Sequence, residues 1–308
     1  MSSMRPKICV VGSANMDLLS KVPRLPKMGE TLIGSSFYMG CGGKGSNQAA
    51  MAAKLLADVT MVVKLGRDAM GEITYKNFTD LGISTSYVFW DEEHFSGVAP
   101  IVVDDKGNNM VIIVPGANMF LTPEEIHLAR DIIETSDVIV CQLEIPMETT
   151  LETFRIARKA GKRTILNPAP GMQLPKELFH LSDIIAPNET ETELITGIPV
   201  DSLEQARDAA AALKELGSKT VILTLGERGV LLLDENGFSH TPAVKVNAVD
   251  TTGAGDAFIG SLAYFVAKGE PAGQAIHKAN RIAALSVTKI GTQASFPSWE
   301  EVAEIVNG

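Results

Sequence analysis

The chain is predicted to be an α/β protein: a doubly wound, mostly parallel central sheet flanked by helices, with a small β-sheet lid. Three observations predict it. Strand-sized apolar runs alternate with helix-period segments along most of the chain. Two patches, approximately 16–40 and 96–115, interrupt that alternation with strand-like pieces punctuated by glycine and proline. The 308 residues, 45% hydrophobic and 21% charged, suffice for one large domain spanning 1–308.

Taken in order, Ile8–Gly12 reads as a short buried strand, followed by Ser13-Ala14-Asn15-Met16-Asp17. Ligands of open parallel sheets bind beyond the carboxyl ends of strands. Asn15 and Asp17, two apart, share one side of an extended segment and are placed to grip a hydroxylated ligand together. An Asx-type turn explains the same residues, and local sequence favours the turn. From Pro23 to Gly40 the pieces Thr31–Ile33 and Ser36–Tyr38 read as short strands. Gly97–Val103 and Met110–Val114 form a hairpin through Asp104–Asn108. The two β-rich patches predict an appended sheet acting as a lid. One of its faces needs cover, which points to a homodimer paired through it.

Gly40-Cys41-Gly42-Gly43-Lys44-Gly45 matches the pattern G-x-G-x-x-G. The strand after it, Val59–Lys64, ends in lysine where a dinucleotide fold places an acid. Lys44 is followed by Gly45, not by the Ser or Thr of a P-loop. What remains is a glycine-rich lead into a helix over Gln48–Ala57. It lets backbone approach a small ligand, with Lys44 and Asn47 offering polar groups. Downstream, Thr122-Pro123-Glu124-Glu125 opens a helix with a capping box. Strands at Val138–Leu143, Arg163–Leu166, Ile184–Ala186 and Lys219–Leu225 follow. Helices run from Pro146 to about Ala160, behind a cap at Ser202–Gln205, and behind a last cap at Ser298–Glu301. Asn15, Glu144, Asn167, Asn188 and Gly226 each come just after a strand, so one edge of the sheet collects them.

The stretch Ala248–Phe258 organises the rest. Gly253, Ala254 and Gly255 lead into an apolar, helix-spaced run to about Ala267. Backbone N–H groups and the positive end of the helix dipole make such a turn an anion site. Asp256 inside it would repel an anion; its chemistry suits taking a proton from a group that approaches one. An anion cradle with a base beside it points to phosphoryl transfer to a hydroxyl. An ordinary glycine turn with an acid in the first helical turn accounts for these residues equally well.

Bulk properties narrow the partners. The formal net charge is −10 and there is no basic block, which argues against nucleic acid or an anionic membrane surface. Runs such as Val138–Val140 and Val221–Leu225 are too short for a transmembrane helix, and Met1–Lys7 leads into no signal segment. Cys9, Cys41 and Cys141 are unclustered, which fits a reducing cytoplasm and argues against a disulfide framework or a cysteine zinc site. The five histidines are scattered without metal-ligand spacing.

These pieces together resemble the ribokinase family of sugar kinases, from Val10 to about Pro297. Gly42–Gln48 and Asp250–Asp256 carry the resemblance. Asn188-Glu189-Thr190-Glu191 is similar to the family's N-x-x-E element, and Thr224-Leu225-Gly226 to its nucleotide-binding strand end. The resemblance implies a ribokinase-like fold and ATP-dependent phosphorylation of D-ribose at its 5-hydroxyl, giving D-ribose 5-phosphate and ADP. It makes Asp256 the base, and Gly253, Ala254 and Gly255 the anion hole. Asn15, Asp17, Gly43, Lys44, Asn47 and Glu144 would hold the sugar. Asn188 and Glu191 would organise phosphates and Mg²⁺ through water, while Thr224, Gly226, Gly229, Gly255 and Asn280 would lie along ATP. Asp250, Thr252, Val287, Gly291 and Ser295 would bind K⁺ or another monovalent cation, mostly through backbone oxygens.

The same resemblance leaves a 2-deoxyribose kinase as the alternative. A catalytically silent sugar sensor is the alternative of another class, disfavoured because a sensor need not keep Asp256 beside the cradle. Two residues need separate accounts. Met16 is larger than the small residue expected there and reads as core packing. Cys41, with no histidine nearby in sequence, reads as unreactive.

Overall fold

A computed structural model describes residues 5–308. Met1–Met4, the start of the stretch searched for a secretion signal, lie outside the described residues. Strand β1 (Lys7–Val11) is apolar on both sides because both sides are covered. Ile8 and Val10 enter one core cluster, Cys9 and Val11 the other. A parallel strand between two helical layers carries such an unbroken apolar run.

After β1 come β2 (Asn15–Val22) and β3 (Ser36–Gly42), then α1 (Lys44–Lys54), β4 (Asp58–Gly66), α2 (Ala69–Asp80) and β5 (Ser84–Asp91). The hairpin of β6 (Gly97–Asp104) and β7 (Asn109–Val111) leads through a 3₁₀ turn to α3 (Pro123–Leu128), α4 (Arg130–Thr135) and β8 (Val138–Cys141). Then follow α5 (Met147–Lys159), β9 (Arg163–Leu166), α6 (Lys176–Leu181), β10 (Ile184–Ile185), α7 (Glu189–Thr196) and α8 (Leu203–Glu215). Last are β11 (Thr220–Thr224), β12 (Val230–Asp234), β13 (Gly237–Thr241), α9 (Ala254–Ala267), α10 (Ala272–Ser286) and α11 (Trp299–Asn307).

The large sheet has nine strands in the order β13-β12-β11-β10-β9-β8-β1-β4-β5. Its pairs are parallel except β11–β12 and β12–β13, which close one edge as antiparallel strands. The chain builds outward from β1 through β4 to β5, then outward the other way from β8. The order therefore reverses between β1 and β8, where open α/β sheets place their ligands. A second sheet, in the order β3-β2-β6-β7, stands apart from it.

Several local expectations shift. The glycine-rich helix begins at Lys44, not Gln48, because Gly43 takes φ 86° at its N-cap and turns the chain straight out of β3. Lys44 and Asn47 therefore sit in the helix's first turn, and Gly40 and Gly42 end a strand. Thr31–Ile33 is irregular; Ile33 is exposed and has nothing to pack on. The second sheet's central strand is instead β2, which pairs with both β3 and β6. The capping boxes at Thr122, Ser202 and Ser298 form as expected. Among the described residues, no helix is long and apolar enough to cross a membrane.

Candidate active site

Gly253 caps α9 in the left-handed region, φ 78°, and Asp256 follows in the first turn, 8% exposed. Each Asp256 oxygen accepts one side-chain amide. Asn47 Nδ2 donates to Oδ2 at 2.9 Å, and Gln48 Nε2 to Oδ1 at 3.0 Å. Both donors come from α1, so α1 and α9, which pack together, fix the carboxylate between them. A helix start leaves orphan N–H groups. Here the Ala254 N–H donates to Thr251 O at 3.2 Å, so this member of the expected anion hole is engaged in the turn. The N–H groups of Gly253, Gly255 and Asp256 have no protein partner among the described residues.

Asp256, Gly253 and Gly255 line a cavity of about 190 Å³ together with Lys44, Asn167, Asn188, Glu191 and Thr224. Its walls come from the carboxyl ends of β9, β10 and β11 and the starts of α1, α7 and α9. Lys44 is the cation among them. Burial lowers its pKa, but the carboxylates of Asp256, Glu144 and Glu191 outweigh that and leave it above the usual lysine value. Glu144 holds the start of α1 in place: it accepts from the Lys44 N–H at 3.0 Å and from the Ser13 hydroxyl.

Asn15 and Asp17 lie on one face of β2 and, like Gly43, Asn47 and Glu144, are not in the wall of this cavity. Asp17 accepts from Thr292 Oγ1 at 3.2 Å. Burial pushes its pKa up to about 6, opposed by that hydrogen bond and reinforced by Glu144 and Asp256. β3 must pass close to it: a Cβ at Gly42 would lie 2.3 Å from Asp17 Oδ1. Asn15 is oriented by Asn118. The Ala14 N–H can only donate, and it reaches Asn118 Oδ1 at 2.9 Å. Asn118 Nδ2 is thereby turned to Asn15 Oδ1, at 2.8 Å. Asn15 is left presenting its Nδ2 as a donor. Met16, 1% exposed, points away into packed surroundings, as core packing requires. Burial raises the Cys41 thiol's pKa, so it is not an activated nucleophile.

Asn188 and Glu191 form a capping box at the start of α7. Asn188 Oδ1 accepts from the Glu191 N–H at 2.8 Å, and Glu191 Oε2 accepts from the Asn188 N–H at 2.9 Å. They line the cavity while capping. Gly226, Gly229 and Asn280 are not in its wall. A Cβ at Gly229 would meet Thr241 O, and Asn280 Nδ2 donates to Pro242 O at 2.9 Å, so these two residues both meet the segment 241–243. Around Asp250, Oδ1 accepts from the Thr252 N–H at 2.9 Å and Oδ2 from the Gly291 N–H at 3.0 Å. The Val287 carbonyl accepts from the Val249 and Asp250 N–H groups, and Ser295 Oγ donates to Thr292 O at 2.8 Å. The five residues expected around a monovalent cation thus belong to two loops joined through Asp250.

Local sequence assigns no role to Gln48, Asn118, Gln142, Thr292 or Gln293. The one signal available was that Gln48 closes the Gly42–Gln48 motif.

With this geometry in hand, known proteins can be compared. Residues 5–299 match the family described as pfkB family carbohydrate kinase. A deoxyribokinase of Salmonella typhi is 42% identical over 301 residues, covering 97% of this chain and 98% of that protein. A ribokinase of Staphylococcus aureus is 40% identical over 304 residues, covering 98% and 100%. The structure of Arabidopsis thaliana ribokinase complexed with ribose and ATP superposes with a TM-score of 0.91 at 32% identity, covering 99% of this chain and 100% of that one.

Proposed function

Because the chain belongs to the pfkB family of carbohydrate kinases, we propose that it transfers the γ-phosphoryl group of ATP to the 5-hydroxyl of D-ribose. The products are D-ribose 5-phosphate and ADP. The observation that carries this reading is the Asp256 carboxylate, held in a cavity wall by two neutral amides beside unengaged backbone donors.

The sugar's C5 hydroxyl loses its proton to Asp256 as its oxygen bonds to the γ-phosphorus. The bond from that phosphorus to the bridging oxygen breaks, ADP departs with the electron pair, and Asp256 passes the proton to solvent. The transition state is loose, so placement and charge stabilisation supply most of the catalysis. The N–H groups of Gly253, Gly255 and Asp256 face the charge that develops; losing one such donor typically costs about 10²–10³ in rate. Lys44 adds a full positive charge. Asn15 donates to the sugar and Asp17 accepts from it, with Gly43, Asn47 and Glu144 completing the grip.

Mg²⁺ bound with ATP would neutralise its phosphates. Among the described residues no three His, Cys, Asp or Glu side chains cluster for a metal. An ion that keeps its waters and takes phosphate oxygens needs no such cage, and Asn188 and Glu191 fit contact through water. At Asp250, Thr252, Val287, Gly291 and Ser295 the donors are one carboxylate, carbonyls and hydroxyls, a hard, singly charged set that suits a monovalent cation such as K⁺. There it would steady the turn into α9. On the face of the second sheet opposite Asn15 and Asp17, Phe37, Met39 and Met110 are exposed, which supports a homodimer paired across it.

The identity to a deoxyribokinase favours 2-deoxyribose as a second reading. An ADP-release assay across ribose, 2-deoxyribose, fructose and nucleosides separates the two. If the half-buried Asp17 pairs the 2-hydroxyl, the deoxy sugar is rejected by up to about 10⁴-fold. Asp256→Asn should abolish turnover while sparing part of the sugar binding. No ADP from either pentose, or normal turnover by Asp256→Asn, defeats the proposal.

A further inference from the structure

Two chains of side-chain amides converge on Asp256 from different sides of the fold. One comes from the strand ends. Asn167 Nδ2 donates to Ala186 O at 3.0 Å, which leaves Asn167 Oδ1 facing Gln48. Gln48 Nε2 donates to that oxygen at 3.1 Å and to Asp256 Oδ1 at 3.0 Å. Gln48 Oε1 in turn accepts from Gln142 Nε2 at 2.6 Å. The other chain comes from α2 and the loop before α11. Asn77 Nδ2 donates to Gln293 Oε1 at 2.9 Å. Gln293 Nε2 donates to Ser46 Oγ at 2.8 Å and to Asn47 Oδ1 at 3.0 Å. Asn47 Nδ2 closes the chain on Asp256 Oδ2 at 2.9 Å.

Acceptors set these orientations. A backbone carbonyl and a carboxylate only accept, so Ala186 O orients Asn167, and Asp256 orients Gln48 and Asn47, whose oxygens then face the Gln142 and Gln293 amides. A flip anywhere would oppose two acceptors or two donors, and an unmade buried hydrogen bond costs about 1–3 kcal/mol. Gln142 is wholly buried and neither it nor Gln293 lines the cavity.

We propose that Gln142 and Gln293 are positioning residues: through Gln48 and Asn47 they fix the plane of the Asp256 carboxylate against the acceptor hydroxyl. The proposal rests on the kinase reading above. Near-attack geometry is worth this much construction, since a misplacement of about 1 Å costs on the order of 10²-fold. The charged groups coupled to Asp256 are Lys44 of α1, Asp17 of β2 and Glu191 of α7, with Glu144 beyond β8 facing Lys44. Substituting either glutamine removes none of them.

The test is steady-state kinetics on Gln142→Met and Gln293→Met, which keep side-chain length without the amide. Each should lower kcat by about 10–100-fold. KM for sugar and for ATP should stay within about threefold, because the residues that hold the substrates are untouched. Unchanged kcat, or a loss of kcat matched by an equal rise in either KM, overturns the proposal. Wild type runs alongside: if it releases no ADP with any sugar, the kinase reading has failed instead. Should Gln142→Met not fold, the half-buried Gln293→Met decides alone.

Discussion

Asp17→Asn should stabilise the unliganded protein while weakening its grip on sugar. Burial raises the folded Asp17 pKa from 3.8 to about 6. Between those values the folded chain binds the proton that the unfolded chain has released. The stability that this group contributes therefore falls as pH rises from about 4 through 6, and above 6 the folded state carries the full cost of an ionised Asp17. At 1.36 kcal/mol per pH unit the cost reaches about 3 kcal/mol, and residual solvent screening brings it to about 1–3 kcal/mol. Asparagine keeps the shape, leaves Gly42 its room, and still accepts from Thr292. With an unfolding entropy of about 2.1 cal/mol/K per residue over 308 residues, Tm at pH 7.5 should rise by about 2–5 °C. By urea unfolding the gain should shrink to about a third at pH 4.5. Losing a hydrogen bond to a charged acceptor should cut kcat/KM for ribose by about 10–100-fold. A variant less stable than wild type at pH 7.5, or a gain as large at pH 4.5 as at 7.5, would refute the argument.

Other outcomes follow from the same geometry. A Cβ at Gly255 meets no atom within 4 Å, yet this residue lines the cavity. Gly255→Ala should therefore unfold no earlier than wild type while kcat drops by about 10²-fold; an equal loss of Tm and activity would speak against an anion site there. Turnover should be faster in K⁺ than in a bulky organic cation, and equal rates would remove the cation from the loop at Asp250. Met110→Asp on β7 should convert a dimer to a monomer in sedimentation, whereas a wild-type monomer would dispose of the paired-sheet arrangement.

What could be read from the chain beforehand divides along physical lines. Gly253, Gly255 and Asp256 stood out because a left-handed cap and an open helix start restrict residue type at those positions. The alternation of β8, β9, β10 and β11 with helices stood out because both sheet faces are covered, which makes those strands mainly apolar. Strand β2 did not. Asn15 and Asp17 read locally as an Asx turn, and only pairing with β3 and β6, contributed by later stretches of chain, extends them. Asn188 and Glu191 show one spacing serving two ends. The capping box explains N-x-x-E by local chemistry alone, and only the fold turns the same two residues to the cavity. The amides were hidden for a stronger reason. A surface glutamine and one that orients a base look alike in sequence, and Gln48 meets Asp256 across 208 residues. What distinguishes them is that the chains they join end on the acceptor-only carboxylate of Asp256. Residues that position a catalytic group therefore have to be sought by following hydrogen-bond direction outward from that group, because motif spacing records the backbone's demands and not those of its side-chain supports.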